Sequence, residues 1–299
     1  MIRISNANGG IAVLIGVTGG GGKIGQRVVA DLTRHGHKCR SIDVGMVYET
    51  PDRYRRADLR ELWQTLDALD GLDAVVHLGA LGAPDPATTS HGFLAEQNTF
   101  ATNTVATYNV FTAARSLGID HVVWASSETV AGFPFQVAPP DFLPVTEEHS
   151  IRPEYSYALS KSVGEHLAQN VAYQHGLSIT SLRFSVVFDA GRYELLPDYW
   201  ADPQLGRWNL WSYVDIDDVA TSCRLAIEAT PRGAESFVVA APDTLMKQPT
   251  EELIQRFAPE LAPLVREPLP GFRSLQSTDR FAEVFGFRPE RSWRDRPTG

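Results

Sequence analysis

Short apolar runs alternate along the chain with longer segments whose apolar residues recur every three or four positions. Ile11 to Val17 is a nearly continuous apolar run that stops at glycines, the pattern of a parallel strand buried on both faces. The next segment, KIGQRVVADLTRHG, puts Ile24, Val28, Val29 and Leu32 on one helical face and ends at Gly36. The unit recurs in variant form. CRSIDV, DAVVHL (Asp73 to Leu78) and HVVWAS (His121 to Ser126) read as strands, with a long helix, NTVATYNVFTAARSLG, before the last of them. A proline-rich loop from Phe133 to Pro153 leads to a helix, YALSKSVGEHLAQNVAYQHG, and a strand, SITSLRF. Such alternation needs right-handed crossovers and predicts an α/β fold, a Rossmann-like doubly wound parallel sheet with helices on both faces.

The regularity loosens after Phe184, where the stretch to Ser212 is rich in aromatics, Pro and Gly and reads as an irregular insertion. A helix, DIDDVATSCRLAIEAT, and a strand, ESFVVAA, follow. Thr250 opens another helix with Glu251 and Glu252 in its first turn, and a last short helix closes at Gly286. The expected division is residues 1–184 for a dinucleotide-binding domain carrying the catalytic residues, and residues 185–299 for an interleaved small C-terminal substrate lobe plus the end of the sheet. A chain of 299 residues, 43% hydrophobic, has the material for that core and lobe. Its net charge of -9 and the lack of a Lys/Arg run exclude a nucleic-acid partner. Cys39 and Cys223 have no disulfide or metal-ligand spacing, and the N-terminus is neither a signal peptide nor a membrane span. These features predict a cytoplasmic protein with no membrane partner and no metal.

The glycine turn runs Thr18-Gly19-Gly20-Gly21-Gly22-Lys23-Ile24-Gly25, and two glycine registers fit it. Glycines let a backbone approach a pyrophosphate whose charge then sits at a helix N-terminus, which points to Gly19, Gly22, Lys23, Ile24 and Gly25 as cofactor-binding residues. Asp43 ends the second strand, where an acid bonds the adenosine ribose hydroxyls and repels a 2′-phosphate. The expected cofactor is therefore NAD rather than NADP. Tyr157 and Lys161 stand four apart on a predicted helix and share a face. A phenol is a poor acid/base at neutral pH, and an adjacent ammonium stabilises its phenolate. Ser126 and Ser127 end the preceding strand, where ligands of open α/β sheets bind, so that one hydroxyl there can bond the substrate oxygen.

TGGGGKIG, Asp43, ADLRE at Asp58, HLGA at His77, Asn103 with NVFTAAR, ASSETVAG, YALSK and WSYVDIDDVA occur in one order from about Ile11 to Ala220. Together they resemble the extended short-chain dehydrogenase/reductase family, of the NAD-dependent epimerase/dehydratase type. The resemblance implies that Ser127 is the catalytic hydroxyl, Tyr157 the acid/base, and Lys161 its partner, which also holds the nicotinamide ribose. It places Asp58 and Leu59 along the adenine, Leu78, Gly79 and Ala80 near the diphosphate and ribose, and Phe184 near the nicotinamide. Asn103 is the family's helix asparagine, and Ser126 is either a cofactor contact or a strand-end hydrogen bond. The resemblance also implies a homodimer formed through the two long helices.

Sugar-nucleotide members of that family have a long stretch after the sixth strand. Here Phe184 and Tyr213 are close in sequence, with no Arg/Lys-rich loop between them to neutralise a diphosphate. The layout is closest to the uronate dehydrogenase-like branch in ASSETVAG, WSYVDIDD and SFVVAA, and departs from it at Glu128, Gly82 and Arg192. The expected function is transfer of a hydride from a hydroxyl of a sugar-like small molecule (aldose, sugar acid or polyol) to NAD. The alternative is a nucleotide-sugar epimerase or dehydratase, in which the hydride returns to the substrate. Ser127, Glu128, His91 and Arg192 are the substrate-binding candidates. For Glu128 and His91 the competing reading is a solvated loop residue, and for Arg192 a surface turn cap. Trp208 and Trp211 either stack on a sugar or cover the lobe. Asp215, Asp217 and Asp218 suit a helix N-terminus better than a metal.

Overall fold

The first apolar run forms β1 (Leu14–Thr18) in the computed structural model of the chain, which describes residues 13–45, 53–82, 92–229 and 231–296. α1 (Lys23–Arg34) follows the glycine turn, buries Val28 and Leu32, and is closed beyond His35 by Gly36 at φ +90°. β2 (Lys38–Asp43), β3 (Tyr54–Arg56), α2 (Leu62–Leu69) and β4 (Ala74–His77) come next. Then follow α3 (Gly92–Ser116), β5 (His121–Ser127), α4 (Ser156–His175) and β6 (Ser178–Phe184). The expected strands and helices are present, while β3 and α2 were not anticipated. Ile11 and Ala12 lie outside the described residues.

The stretch expected to be irregular holds β7 (Val187–Phe188), α5 (Ala190–Tyr193) and α6 (Leu196–Ala201), and β7 pairs in parallel with β8 (Val214–Asp215). α7 (Ile216–Glu228), β9 (Ala234–Val239), α8 (Thr250–Phe257) and α9 (Asp279–Phe285) complete the chain. The main sheet has seven strands in the order β3-β2-β1-β4-β5-β6-β9. From β1 the chain builds outward to β2 and β3, then crosses back to set β4 on the other side of β1. Thr18 is thereby registered with Ile42 on one side and His77 on the other. This is the doubly wound order, whose reversal opens a crevice at the carboxyl ends of β1 and β4.

By contacts the chain forms two compact units, one of residues 1–126, 155–182 and 223–236, the other of residues 127–154, 183–222 and 237–299. The first is organised around Ile42, Leu69, Val75, Val110, Phe111, Val122, Trp124 and Ile179. Fully burying each such side chain contributes about 1.5–3 kcal/mol. In it α4 lies against β5 at Gly164, where a Cβ would come within 2.3 Å of the Trp124 ring, so only glycine permits that approach. The second unit is organised around Phe133, Leu143, Phe188, Trp211, Tyr213, Leu253, Leu275 and Trp293. Buried Asp218 accepts from the Glu290 and Arg291 backbone and the Arg291 guanidinium, and buried Asp215 accepts from Tyr193 and Arg296, which fastens the C-terminal segment. Trp211 is fully buried with Nε1 donating to the Pro203 carbonyl, whereas Trp208 is partly exposed. Among the described residues no helix is long and apolar enough to cross a membrane.

Candidate active site

The crevice between β1 and β4 is made by backbone approaching backbone. A Cβ on Gly19, whose φ is +65°, would lie 2.9 Å from the Gly79 nitrogen, and one on Gly25 would lie 2.2 Å from the Gly19 carbonyl oxygen. Glycine at these positions folds the turn tightly against α1, and Lys23 and Ile24 form the first turn of that helix. Gly79 N–H donates to Thr18 Oγ1, which also shares a 2.6 Å hydrogen bond with buried His77 Nδ1. Burial first, then the Lys161 charge, pushes His77 down to about 3, so its imidazole is neutral. Asp43 projects back to the turn, its Oδ2 accepting from Gly21 N–H at 3.0 Å and its Oδ1 from Gly45 N–H. Leu59 packs beside Gly79, its Cδ1 3.1 Å from where a Gly79 Cβ would stand. Asp58 is held by a two-pronged bond from Arg60, which lowers its carboxyl below the usual range. Leu78 and Gly79 are half-buried and Ala80 is exposed. A glycine cradle at a helix N-terminus, with a carboxylate fixed at the end of β2, is the donor and acceptor set a dinucleotide needs, so the residues present fit NAD.

The same unit carries Tyr157 and Lys161 on α4. Lys161 is buried, its Nζ donates to the Ala125 carbonyl at 2.7 Å, and it stands 5.6 Å from the Tyr157 ring centroid and 5.2 Å from that of Trp124. Burial brings its ammonium down to about 8, so it is charged at neutral pH. One turn further along α4, Glu165 accepts from Ser126 Oγ at 2.6 Å. Asn103 accepts from Leu81 N–H and donates to the Leu81 carbonyl and Ser160 Oγ, tying the loop after β4 to both long helices. Ser160 in turn donates to the Tyr157 carbonyl. The hydrogen-bond roles of Glu165 and Ser160 were not foreseen, because their partners lie far away in sequence or on the backbone.

In the second unit, Ser127 at the end of β5 caps a short 3-10 turn, Glu128–Ala131. Its Oγ accepts from both the N–H and the hydroxyl of Thr129, at 3.2 and 3.0 Å, which leaves its own proton to be donated elsewhere. Thr129 thus orients Ser127, a role without a signal in the sequence. Glu128 is buried rather than solvated, and its carboxyl Oε2 accepts from Gln276 Nε2. Phe184 is buried at the end of β6, and Arg192 is exposed on α5 with its backbone N–H capped by Asp189. His91 lies outside the described residues. Gly82 is exposed with open space around it.

Burial pushes the Glu128 carboxyl up to about 8, partly offset by Gln276 and Ser185. Between its ordinary value of 4.5 and about 8 the folded protein keeps a proton that the unfolded chain has released. Glu128 therefore makes stability fall as pH rises through that window, by about 1.4 kcal/mol per pH unit at the steepest. Glu128→Gln is expected to flatten this loss in urea unfolding measured from pH 5 to 8. Parallel wild-type and variant profiles would refute the assignment.

The family model described as "NAD dependent epimerase/dehydratase family" matches residues 15–240. The chain is 30% identical over 242 residues to the 2-alkyl-3-oxoalkanoate reductase of Stenotrophomonas maltophilia, covering 73% of this chain and 66% of that protein, just under two thirds of its length. It is 29% identical over 232 residues to the L-arabinose 1-dehydrogenase (NAD(P)(+)) of Haloferax volcanii, covering 72% of this chain and 83% of that one. A solved structure titled as a mutated uronate dehydrogenase shares the fold, with a TM-score of 0.67 at 21% identity over 95% of this chain and 85% of that chain. The chain belongs to the NAD-dependent epimerase/dehydratase family, and it is an NAD-dependent enzyme of the extended short-chain dehydrogenase/reductase type.

Proposed function

We propose that this enzyme is a dehydrogenase that oxidises a hydroxyl of a sugar-like small molecule, an aldose, sugar acid or polyol, with release of NADH. The observation that carries the reading is the Lys161 ammonium held beside the Tyr157 ring on α4, in a chain whose segment from Phe184 to Tyr213 has no cluster of cations for a diphosphate. Similarity to an arabinose dehydrogenase supports a free-sugar substrate. NAD, when bound, supplies the hydride acceptor. Tyr157 takes the proton of the substrate hydroxyl, Lys161 provides positive charge beside the phenol as that proton moves, and Ser127 donates its hydrogen bond to the same oxygen. Gly19, Gly22, Lys23, Ile24 and Gly25 hold the pyrophosphate, Asp43 the adenosine ribose, and Asp58 and Leu59 the adenine. Leu78, Gly79, Ala80, Asn103, Ser126 and Phe184 complete the cofactor wall. In this reading residues 1–184 serve the cofactor and catalysis and 185–299 form the substrate lobe, and Glu128 and Arg192 contact the substrate. A cytoplasmic homodimer belongs to the same reading, supported by exposed Val105 and Tyr108 on α3 and Leu159 on α4.

The test is NADH formation by the purified enzyme with NAD and then NADP across aldoses, uronic acids and polyols. One substrate class is expected to give net NADH, with NADP at least about ten-fold poorer in kcat/KM, because the fixed Asp43 carboxylate opposes a 2′-phosphate. Asp43→Ser should narrow that gap. No NADH with any substrate, together with NAD that stays bound through purification, would replace this reading with the epimerase/dehydratase one. Equal use of the two cofactors would remove Asp43 as the selector.

A further inference from the structure

Three polar side chains that the proton transfer does not use meet inside the second unit. Glu128 follows Ser127 directly and is 4% exposed, and Gln276, in the segment bridged to Val145, is 3% exposed. Gln276 Nε2 donates to Glu128 Oε2 and, at 3.3 Å, to Ser185 Oγ just beyond β6. Gln276 Oε1, also buried, has no hydrogen-bond partner. A buried acceptor left unpaired costs about 1–3 kcal/mol, so a molecule that supplies a donor there is bound with that cost recovered. Among the described residues no cation contributes to the environment of the Glu128 carboxyl, which is set by burial, Gln276 and Ser185.

We propose that Glu128, Gln276 and Ser185 form a specificity-determining subsite that receives a hydroxyl group of the substrate and rejects a carboxylate in its place, making the preferred substrate a neutral aldose or polyol rather than a sugar acid. A hydroxyl both donates and accepts: it can give its proton to Gln276 Oε1 while accepting from Glu128, which burial keeps in its acid form at neutral pH. A carboxylate can only accept. It would leave Gln276 Oε1 unpaired and would bring a negative charge into a buried cluster that holds no cation, a desolvation cost nothing there offsets. This subsite rests on the dehydrogenase reading and narrows it.

The experiment compares kcat/KM with NAD, at pH 7, for aldoses and the uronic acids of the same ring stereochemistry. The neutral sugar of a pair is expected to be favoured by about ten-fold or more, the discrimination one or two buried hydrogen bonds supply. Gln276→Leu, which keeps the volume and removes both bonds, should raise KM for the neutral sugar about ten-fold with little change in kcat, and should erode the preference. If Gln276→Leu melts early, Glu128→Ala is read for the same split between KM and kcat. A uronic acid used as well as or better than its aldose overturns the subsite and leaves the dehydrogenase standing. An equal loss toward both classes, or a loss confined to kcat, also overturns it, since a merely structural cluster would behave so. No NADH with either class overturns the dehydrogenase reading and the subsite with it.

Discussion

Tyr157→Phe is expected to lower kcat by about 100- to 10,000-fold, the range that a positioned acid/base contributes, with NAD affinity and melting temperature close to those of the wild type. The substitution deletes one oxygen from a half-buried side chain. The aromatic stack on Tyr155, with ring centroids 6.3 Å apart, survives in the variant, and so does the approach of the Lys161 ammonium to the ring. Neither the helix nor the glycine cradle therefore has reason to change. In the proposed mechanism what is lost is the group that receives the proton of the substrate hydroxyl, and the remaining rate would come from binding and from the Ser127 hydrogen bond. Single-turnover NADH formation separates this from a binding defect, because the chemical step slows while NAD titrates normally. Turnover within a few-fold of wild type would mean that the acid/base is another residue.

The sequence made the cofactor half of the fold legible because its signals are local. The β6 boundaries, Ser178–Phe184, match the predicted strand SITSLRF residue for residue, and the helix stops at Gly36, Gly176 and Gly286 coincide with left-handed backbone. β3 escaped notice because an edge strand of three residues, Tyr-Arg-Arg, is partly exposed and has no apolar face to show. The stretch after Phe184 looked irregular because its order comes from distant partners: β7 is held by β8, Trp200 donates to the Leu245 carbonyl, and Trp211 sits at φ +53° in the second core. The site divides in the same way. The glycine turn and the Tyr157/Lys161 spacing are patterns within one turn or one helix, so they could be read directly. The link from Glu128 to Gln276 joins two residues far apart in the chain, and no periodicity records it. The burial that turns Glu128 into an acid at neutral pH is likewise a property of packing and not of local sequence.

Gly25→Ala is expected to weaken NAD binding by at least about 100-fold and to lower the melting temperature, whereas Gly22→Ala should leave the melting temperature close to that of the wild type. Both glycines belong to the same turn, and geometry separates them. A Cβ at Gly25 would stand 2.2 Å from Gly19 O, 2.7 Å from Gly20 Cα and 2.9 Å from Gly19 C, all backbone atoms that cannot rotate away. The turn must then open and move the N–H groups at the start of α1 that would meet the pyrophosphate; losing two or more such charge-assisted bonds gives the expected factor. At Gly22 the nearest atom to a Cβ is Gly19 O at 3.2 Å, and the backbone is extended at φ -73°, a conformation open to any residue. Calorimetric titration of NAD into each variant, alongside thermal unfolding, distinguishes the outcomes. Equal falls in melting temperature in the two variants would mean that the turn tolerates no side chain anywhere, and wild-type affinity in Gly25→Ala would mean that the pyrophosphate does not sit on this turn.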